Sequence, residues 1–413
     1  MTDDTSWSPS DAALLYGLED WGSPYFRVSD RGTIRVYPHG RQGPGADLAE
    51  VMEGLTARDI HPPVVLRWPG ILEHRMRTLR AAFDHARKEA DYGGEYACVY
   101  PVKVNQQRHV CEVIRDVAAE IGFGLEAGSK PELLAGLALT EGRNEMPLIC
   151  NGFKDEEFIE TAILAAKMGR NVLPVAEQPD ELELIVGAAR RHEVTPRFGI
   201  RAKLASGGVG RWAQSAGMRG KFGLSVSQIL SAIDYLRHEG LLEGLRMLHC
   251  HIGSQIYDIG TVKYAVNELT QLYVEMVRLG APMEILDLGG GMGVDYDGSG
   301  SARDSSMNYT VEQYAADVVH RVKAICDDAE VAHPHLVTES GRALVAHSGI
   351  LVFQVVGTRV FPETPDPSVL RRALEEPDPD DVPQPLLDLD DAWTRLQDEG
   401  EDAADPLEAY QDA

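Results

Sequence analysis

The chain has 413 residues, 44% of them hydrophobic, enough to bury the core of one barrel-sized domain with a small appendage. Its 65 acidic against 39 basic residues give a formal charge of −26, which argues against a nucleic-acid or anionic-membrane surface. No stretch reaches the length of a membrane span, Met1–Asp11 carries no basic or apolar leader pattern, and the five scattered cysteines form no C-x-x-C pair, so a cytoplasmic protein with reduced thiols is expected.

In chain order, residues 1–60 read as an N-terminal segment with a small β element: 25–28 and 33–37 flank Ser29-Asp30-Arg31-Gly32 as a hairpin would. Ile71–Ala90 has the spacing of a long amphipathic helix. From there strand-like and helix-like segments alternate, with strands expected near 96–103, 121–126, 147–151, 171–175, 197–203, 245–251, 284–288 and 335–339. Eight strands with intervening helices give the (β/α)8 count, so 61–361 is expected to be an α/β, TIM-type barrel. Ser129 with Glu132, Ser225 with Gln228 and Thr310 with Gln313 fit the capping box at three helix starts. Ser206–Gly210 and Gly217–Gly223 read as a flexible loop at the barrel mouth. Residues 362–413 are acidic and proline-bearing, with two short helical stretches at 367–375 and 390–398, and read as a flexible tail. Much of the acidic surplus lies there, which favours solvation over attraction of a cationic substrate.

Four motifs fall at the ends of these strands, where a barrel places its active site. They are Tyr100–Asn105 around Lys103, the run from His249 to Gln255 that includes His251 and Ser254, Asp287–Gly291, and Glu339–Arg342. Each alone has a bland reading: a solvated lysine, a core histidine, a tight turn, a helix start. Together they match the demands of pyridoxal 5'-phosphate. Its aldehyde needs a lysine, its phosphate needs backbone N–H groups and an arginine, and its ring nitrogen needs a charge partner. Lys103 supplies the amine, and Gly289, Gly290 and Gly291 open the main chain to an anion. Gly341 and Arg342 add a turn and a fork of donors, and Ser254 a hydroxyl. His251 can lie on the ring, and Glu339 can keep its nitrogen protonated. Glu126, at the end of the second strand, either positions Lys103 or the cofactor's phenolic oxygen, or simply caps the next helix.

The order of these motifs resembles that of the alanine-racemase-like, fold-type III pyridoxal phosphate decarboxylases. Stretches 100–107, 124–133, 149–155, 293–298 and 339–342 look like the biosynthetic arginine decarboxylases within that family. The resemblance runs from about Tyr16 to about Val360. It implies decarboxylation of L-arginine to agmatine and carbon dioxide in polyamine formation, with Lys103, His251 and Glu339 catalytic, and Mg2+ as an additional cofactor without residues assigned to it. It also implies a homo-oligomer, because family members complete their sites with a C-terminal β domain carrying a Cys-Asp-x-x-Asp-type segment from a neighbouring subunit. After Phe361 no such sequence follows, and Cys326-Asp327-Asp328 lies in a helical stretch before the last strand. A chain lacking that half-site is expected to hold the cofactor but to turn arginine over slowly unless a C-terminal portion is supplied. Two alternatives are a decarboxylase of diaminopimelate, lysine or ornithine, and a cofactor-binding but catalytically silent regulator.

Overall fold

The computed structural model describes residues 7–41, 43–205, 220–359 and 384–398. The chain divides into two units, Met1–Val352 and Phe353–Ala413. In the first, β1 (Phe26–Val28), β2 (Ile34–Val36) and β3 (Ala46–Asp47) form an antiparallel sheet with Phe26 opposite Val36, the register the hairpin reading requires. Tyr25, Phe26 and Val36 pack with Leu18 and Ile71, which ties this sheet to the start of the helix Pro69–Glu89. β4 (Val64–Arg67) precedes that helix.

The eight following strands are β5 (Tyr96–Pro101), β6 (Gly124–Ala127), β7 (Leu148–Cys150), β8 (Val172–Ala176), β9 (Phe198–Arg201), β10 (Leu245–His249), β11 (Ile285–Asp287) and β12 (His335–Thr338). They are parallel and close in sequence order into a barrel, with β12 against β5, as the alternation of segments predicts. β13 (Gly349–Val352) then pairs antiparallel with β4, Val64 opposite Val352. That small sheet stands outside the barrel, which narrows the barrel expected over 61–361 at both ends.

Alternation along each strand sends one set of side chains to the helices and the other inward. Tyr96, Cys98 and Tyr100 join the large cluster shared with the helices, where Phe83 stacks on Tyr96 at 3.6 Å between ring centroids. Val99, Ile149, Leu173, Val175, Met247 and Val337 form a separate cluster inside the barrel.

Helix starts follow the expected chemistry at Ser225 and Thr310, where both capping boxes close. The third does not form. Ser129 makes no side-chain cap, because Glu132 turns to the Gly128 N–H (2.7 Å) and the Gln106 amide (2.9 Å) instead. Of the expected mouth loop, 206–210 and 217–219 lie outside the described residues while 220–223 are described and form no helix or strand; the helical stretch expected at 367–375 also lies outside. In the second unit a helix spans Gln384–Asp398 and takes in the stretch expected at 390–398. Among the described residues no helix is long and apolar enough to cross a membrane.

Candidate active site

The pleat decides what reaches the barrel mouth. Two residues beyond five of the inner apolar positions the chain places a polar one: Asn151 after Ile149, Glu177 after Val175, His249 after Met247, Asp287 after Ile285, Glu339 after Val337. Glu126 and Arg201 hold equivalent places on β6 and β9. Glu126, Glu177 and Asp287 are wholly buried, and His249, Glu339 and Asn151 nearly so. Buried ionisable groups persist only when paired, hydrogen-bonded or neutral, so their partners define the site.

Lys103 sits on a 3-10 turn, Val102–Val104, just beyond β5 rather than on the strand itself. Its Nζ lies 3.2 and 3.1 Å from the two oxygens of Glu126, which β6 brings beside β5 by pairing Glu126 with Pro101. Burial opposes the ammonium charge, but the Glu126 and then the Glu339 carboxylates outweigh it and raise the lysine's pKa. Glu126 therefore holds the lysine, and the helix that follows takes no side-chain cap from its N-cap residue.

Across the mouth the wall is backbone. Gly289 has φ 66°, and a Cβ there would stand 2.1 Å from the Cys250 carbonyl oxygen; Gly291 has φ 114°, with the Gly253 oxygen at 3.0 Å. Only glycine meets both demands at 289. A Cβ on Gly290 would come within 2.8 Å of the Glu339 backbone carbonyl oxygen and 3.5 Å of His251 Cε1, so the triplet neighbours His251 and the Glu339 main chain. Arg342 follows Gly341 on a short helix and donates to Ser254 Oγ (2.6 Å) and Gln255 Oε1 (3.3 Å). Burial, then the Arg201 charge, lowers the His251 pKa to about 3, so its ring is neutral. Its Nδ1 is buried without a hydrogen-bond partner.

Beneath these groups lies a cluster the sequence reading missed. Asn151 Nδ2 donates to Glu339 Oε1 at 2.6 Å. His249 Nδ1 is 3.0 Å from Asp287 Oδ2 and 3.8 Å from Glu339 Oε1, without the alignment of a hydrogen bond. Asp287 Oδ1 accepts the Gly289 N–H at 2.9 Å, tying the cluster to the glycine wall. Burial raises Asp287 to about 7, burial and then the Asp287 charge push Glu339 well above its ordinary range, and burial lowers His249. Alongside, Arg201 pairs with Glu177 (2.9 Å), which also accepts the Gly152 N–H (2.6 Å), and buried Lys154 pairs with Glu181 (3.1 Å). Burial raises the Glu177 pKa, but the charges of Arg201 and Lys154 outweigh it and the carboxyl stays below its usual value.

His249, Asp287 and Glu339 offer ligand-type atoms within 4.8 Å of one another, the one such grouping among the described residues. It suits Mg2+ poorly, since that ion takes oxygen ligands and keeps several waters, whereas this cluster is buried and includes an imidazole. The other groups fit pyridoxal phosphate: an amine beside a carboxylate, a bare backbone wall, an arginine paired with a serine hydroxyl, and a buried carboxyl.

Fold and mouth together define a class, a (β/α)8 barrel equipped for a phosphorylated aldehyde. The profile of the family described as pyridoxal-dependent decarboxylase, pyridoxal binding domain, matches residues 76–346. The chain belongs to that family. It is 47% identical over 377 residues to the biosynthetic arginine decarboxylase of Prochlorococcus marinus (strain MIT 9313), covering 91% of this chain and 57% of that protein. It is 48% identical over 354 residues to that of Rhodopirellula baltica, covering 86% of this chain and 53% of that one. The chain thus spans about half the length of the curated relatives it matches. The crystal structure of the biosynthetic arginine decarboxylase of Campylobacter jejuni aligns with a TM-score of 0.73 and 28% identity over 96% of this chain and 68% of that one. Diaminopimelate decarboxylase from M. jannaschii shares the fold, with a TM-score of 0.63 and 23% identity over 82% of this chain and 71% of that one.

Proposed function

We propose that this barrel holds pyridoxal 5'-phosphate on Lys103 and serves the decarboxylation of L-arginine to agmatine and carbon dioxide. The observation that carries the reading is the convergence at one mouth of the Lys103–Glu126 pair, the Arg342–Ser254 pair on a glycine wall, and buried Glu339. The substrate rests on the 47% and 48% identity to proteins named for that activity.

When bound, the cofactor supplies an aldehyde for the amino group and a ring that accepts the electron pair left as carbon dioxide departs. The chain's own residues prepare for this. Lys103 stands protonated, and its pair with Glu126 holds the amine at the mouth. Arg342 and Ser254 would take the phosphate oxygens, with the N–H groups of Gly290 and Gly291 beside them. His251 is neutral, so it can lie against a cationic ring without repelling it. Burial holds the Glu339 pKa well above its ordinary range, and a protonated ring nitrogen beside it would favour its carboxylate. Ion pairing to that carboxylate would hold the ring in its electron-accepting form.

In this reading the product feeds polyamine formation, and the working form is a homo-oligomer or an association with a C-terminal portion. The five cysteines, all buried and free, suit a reducing cytoplasm. Among the described residues no grouping suits magnesium.

The test is carbon dioxide release from carboxyl-labelled arginine, lysine, ornithine and diaminopimelate, by the chain alone and with the C-terminal portion of a related arginine decarboxylase. Arginine should be preferred. Preference for another substrate would replace the specificity but keep the cofactor reading, and no release from any of the four would favour the silent regulator.

A further inference from the structure

The stretch 149–155, part of the resemblance, has no role in the chemistry above, yet its Asn151 touches Glu339 directly. The contact is short and built to last. The Asn151 N–H donates to the Ala127 carbonyl at 2.9 Å, and Gly152, with φ 75°, packs so closely that a Cβ would stand 2.4 Å from the Gly128 oxygen. The Gly152 N–H is in turn held by Glu177. The residue is thereby anchored to the strand end that carries Glu126, while its side chain reaches Glu339 beyond β12.

The amide's orientation is informative. Nδ2 faces Glu339 Oε1 at 2.6 Å, and Oδ1 is buried with no hydrogen-bond partner. Leaving a buried amide oxygen without a partner is unfavourable. The chain retains this arrangement although an apolar side chain of the same size would avoid the cost. A neutral donor favours a carboxylate over a carboxylic acid, and it does so without the charge that Lys or Arg would place beside a cationic ring.

Building on the cofactor reading above, we propose that Asn151 is a positioning residue that holds the Glu339 carboxylate against the pyridine nitrogen of the cofactor. Asn151 touches neither substrate nor reacting bond; it acts through Glu339. His249 approaches the same carboxyl from β10 without an aligned hydrogen bond, and Asp287 shares a side-chain hydrogen bond with it from β11, while the Asn151 amide is the N–H donor on Oε1.

The test compares binding of pyridoxal phosphate with binding of its 1-deaza analogue, in which the ring nitrogen is replaced by C–H, to the full chain and to Asn151→Leu and Asn151→Ala. Leu conserves volume and Ala only opens space, so the two fail in different ways if packing is at fault. The wild type should prefer the natural cofactor. Loss of one hydrogen bond to a charged group should shrink that preference roughly 10- to 100-fold in both variants, with affinity for the analogue little changed. In a Glu339→Gln background the same replacements should have no further effect on the preference. An undiminished preference in the variants, or equal losses for both ligands, would overturn the proposal and make Asn151 a packing residue. Failure of the wild type to bind either ligand would instead overturn the cofactor reading.

Discussion

The inside of this barrel holds two layers that differ by one step of the pleat. The lower, from Val99 to Val337, is apolar and closely packed; a Cβ on Gly199 would already meet Met247 Cε at 3.0 Å. The upper, two residues further along the same strands, is built of Asn151, Glu177, His249, Asp287 and Glu339 with Glu126 and Arg201. The lower layer holds the strands in place and the upper one presents chemistry on them, so stability and function occupy neighbouring positions that mutation can separate.

The largest expected effect lies in the upper layer. Glu339→Gln should leave the cofactor attached through Lys103 while arginine decarboxylation, measured in an assembly that turns arginine over, falls roughly 10²–10³-fold, the usual scale for removing one preorganised electrostatic group. Met247→Ala, in the lower layer, should do the reverse. It should cost about 2–5 kcal/mol in denaturant unfolding, with cofactor affinity per folded molecule unchanged. If both variants lose stability and affinity together, the two layers are not separable. Arg342→Ala should weaken cofactor affinity about 10- to 100-fold by equilibrium binding, the loss expected if its fork takes the phosphate as proposed.

The smallest effect is a pH dependence. Folded Asp287 keeps its proton up to about pH 7, whereas the unfolded carboxyl releases it near 3.8. Between these values the folded chain binds the extra proton, so this group's stabilising contribution is full at acid pH and declines as pH rises, by at most about 1.4 kcal/mol per pH unit. His251, held neutral with a pKa of about 3, acts in the opposite direction, but it is common to both chains in a comparison of variants. The stability of cofactor-free Asp287→Asn relative to wild type should therefore grow as pH rises toward about 7, and a flat difference would mean that Asp287 titrates as an exposed carboxyl does.

Much of the fold could be read from the sequence because the strands announce themselves as apolar runs at regular intervals, and each expected range overlaps an observed strand. The motif residues could be read because lysine, glycine triplets and Glu-x-Gly-Arg are rare in sequence order. Asn151, His249, Asp287 and Arg201 could not, because their signal is positional. Each lies two residues past an inner apolar residue, or at the matching level of its strand, and the inner set can be told from the outer only when the barrel has closed. Glu132 misled for a similar reason: its spacing from Ser129 fits a capping box, but in space the Gly128 N–H and Gln106 are better partners. The β4–β13 sheet joins segments far apart in sequence, each only four residues long, and neither is distinctive alone.

The most direct test of the account is borohydride reduction of the cofactor-loaded chain followed by peptide mapping. Two lysines with carboxylate partners stand near the mouth, Lys103 beside Glu126 and the fully buried Lys154 beside Glu181, and only the first has its amine open to an incoming aldehyde. The account predicts the reduced cofactor on the peptide containing Lys103, with none on Lys103→Ala. Label on Lys154, or no label on the wild type, would contradict it.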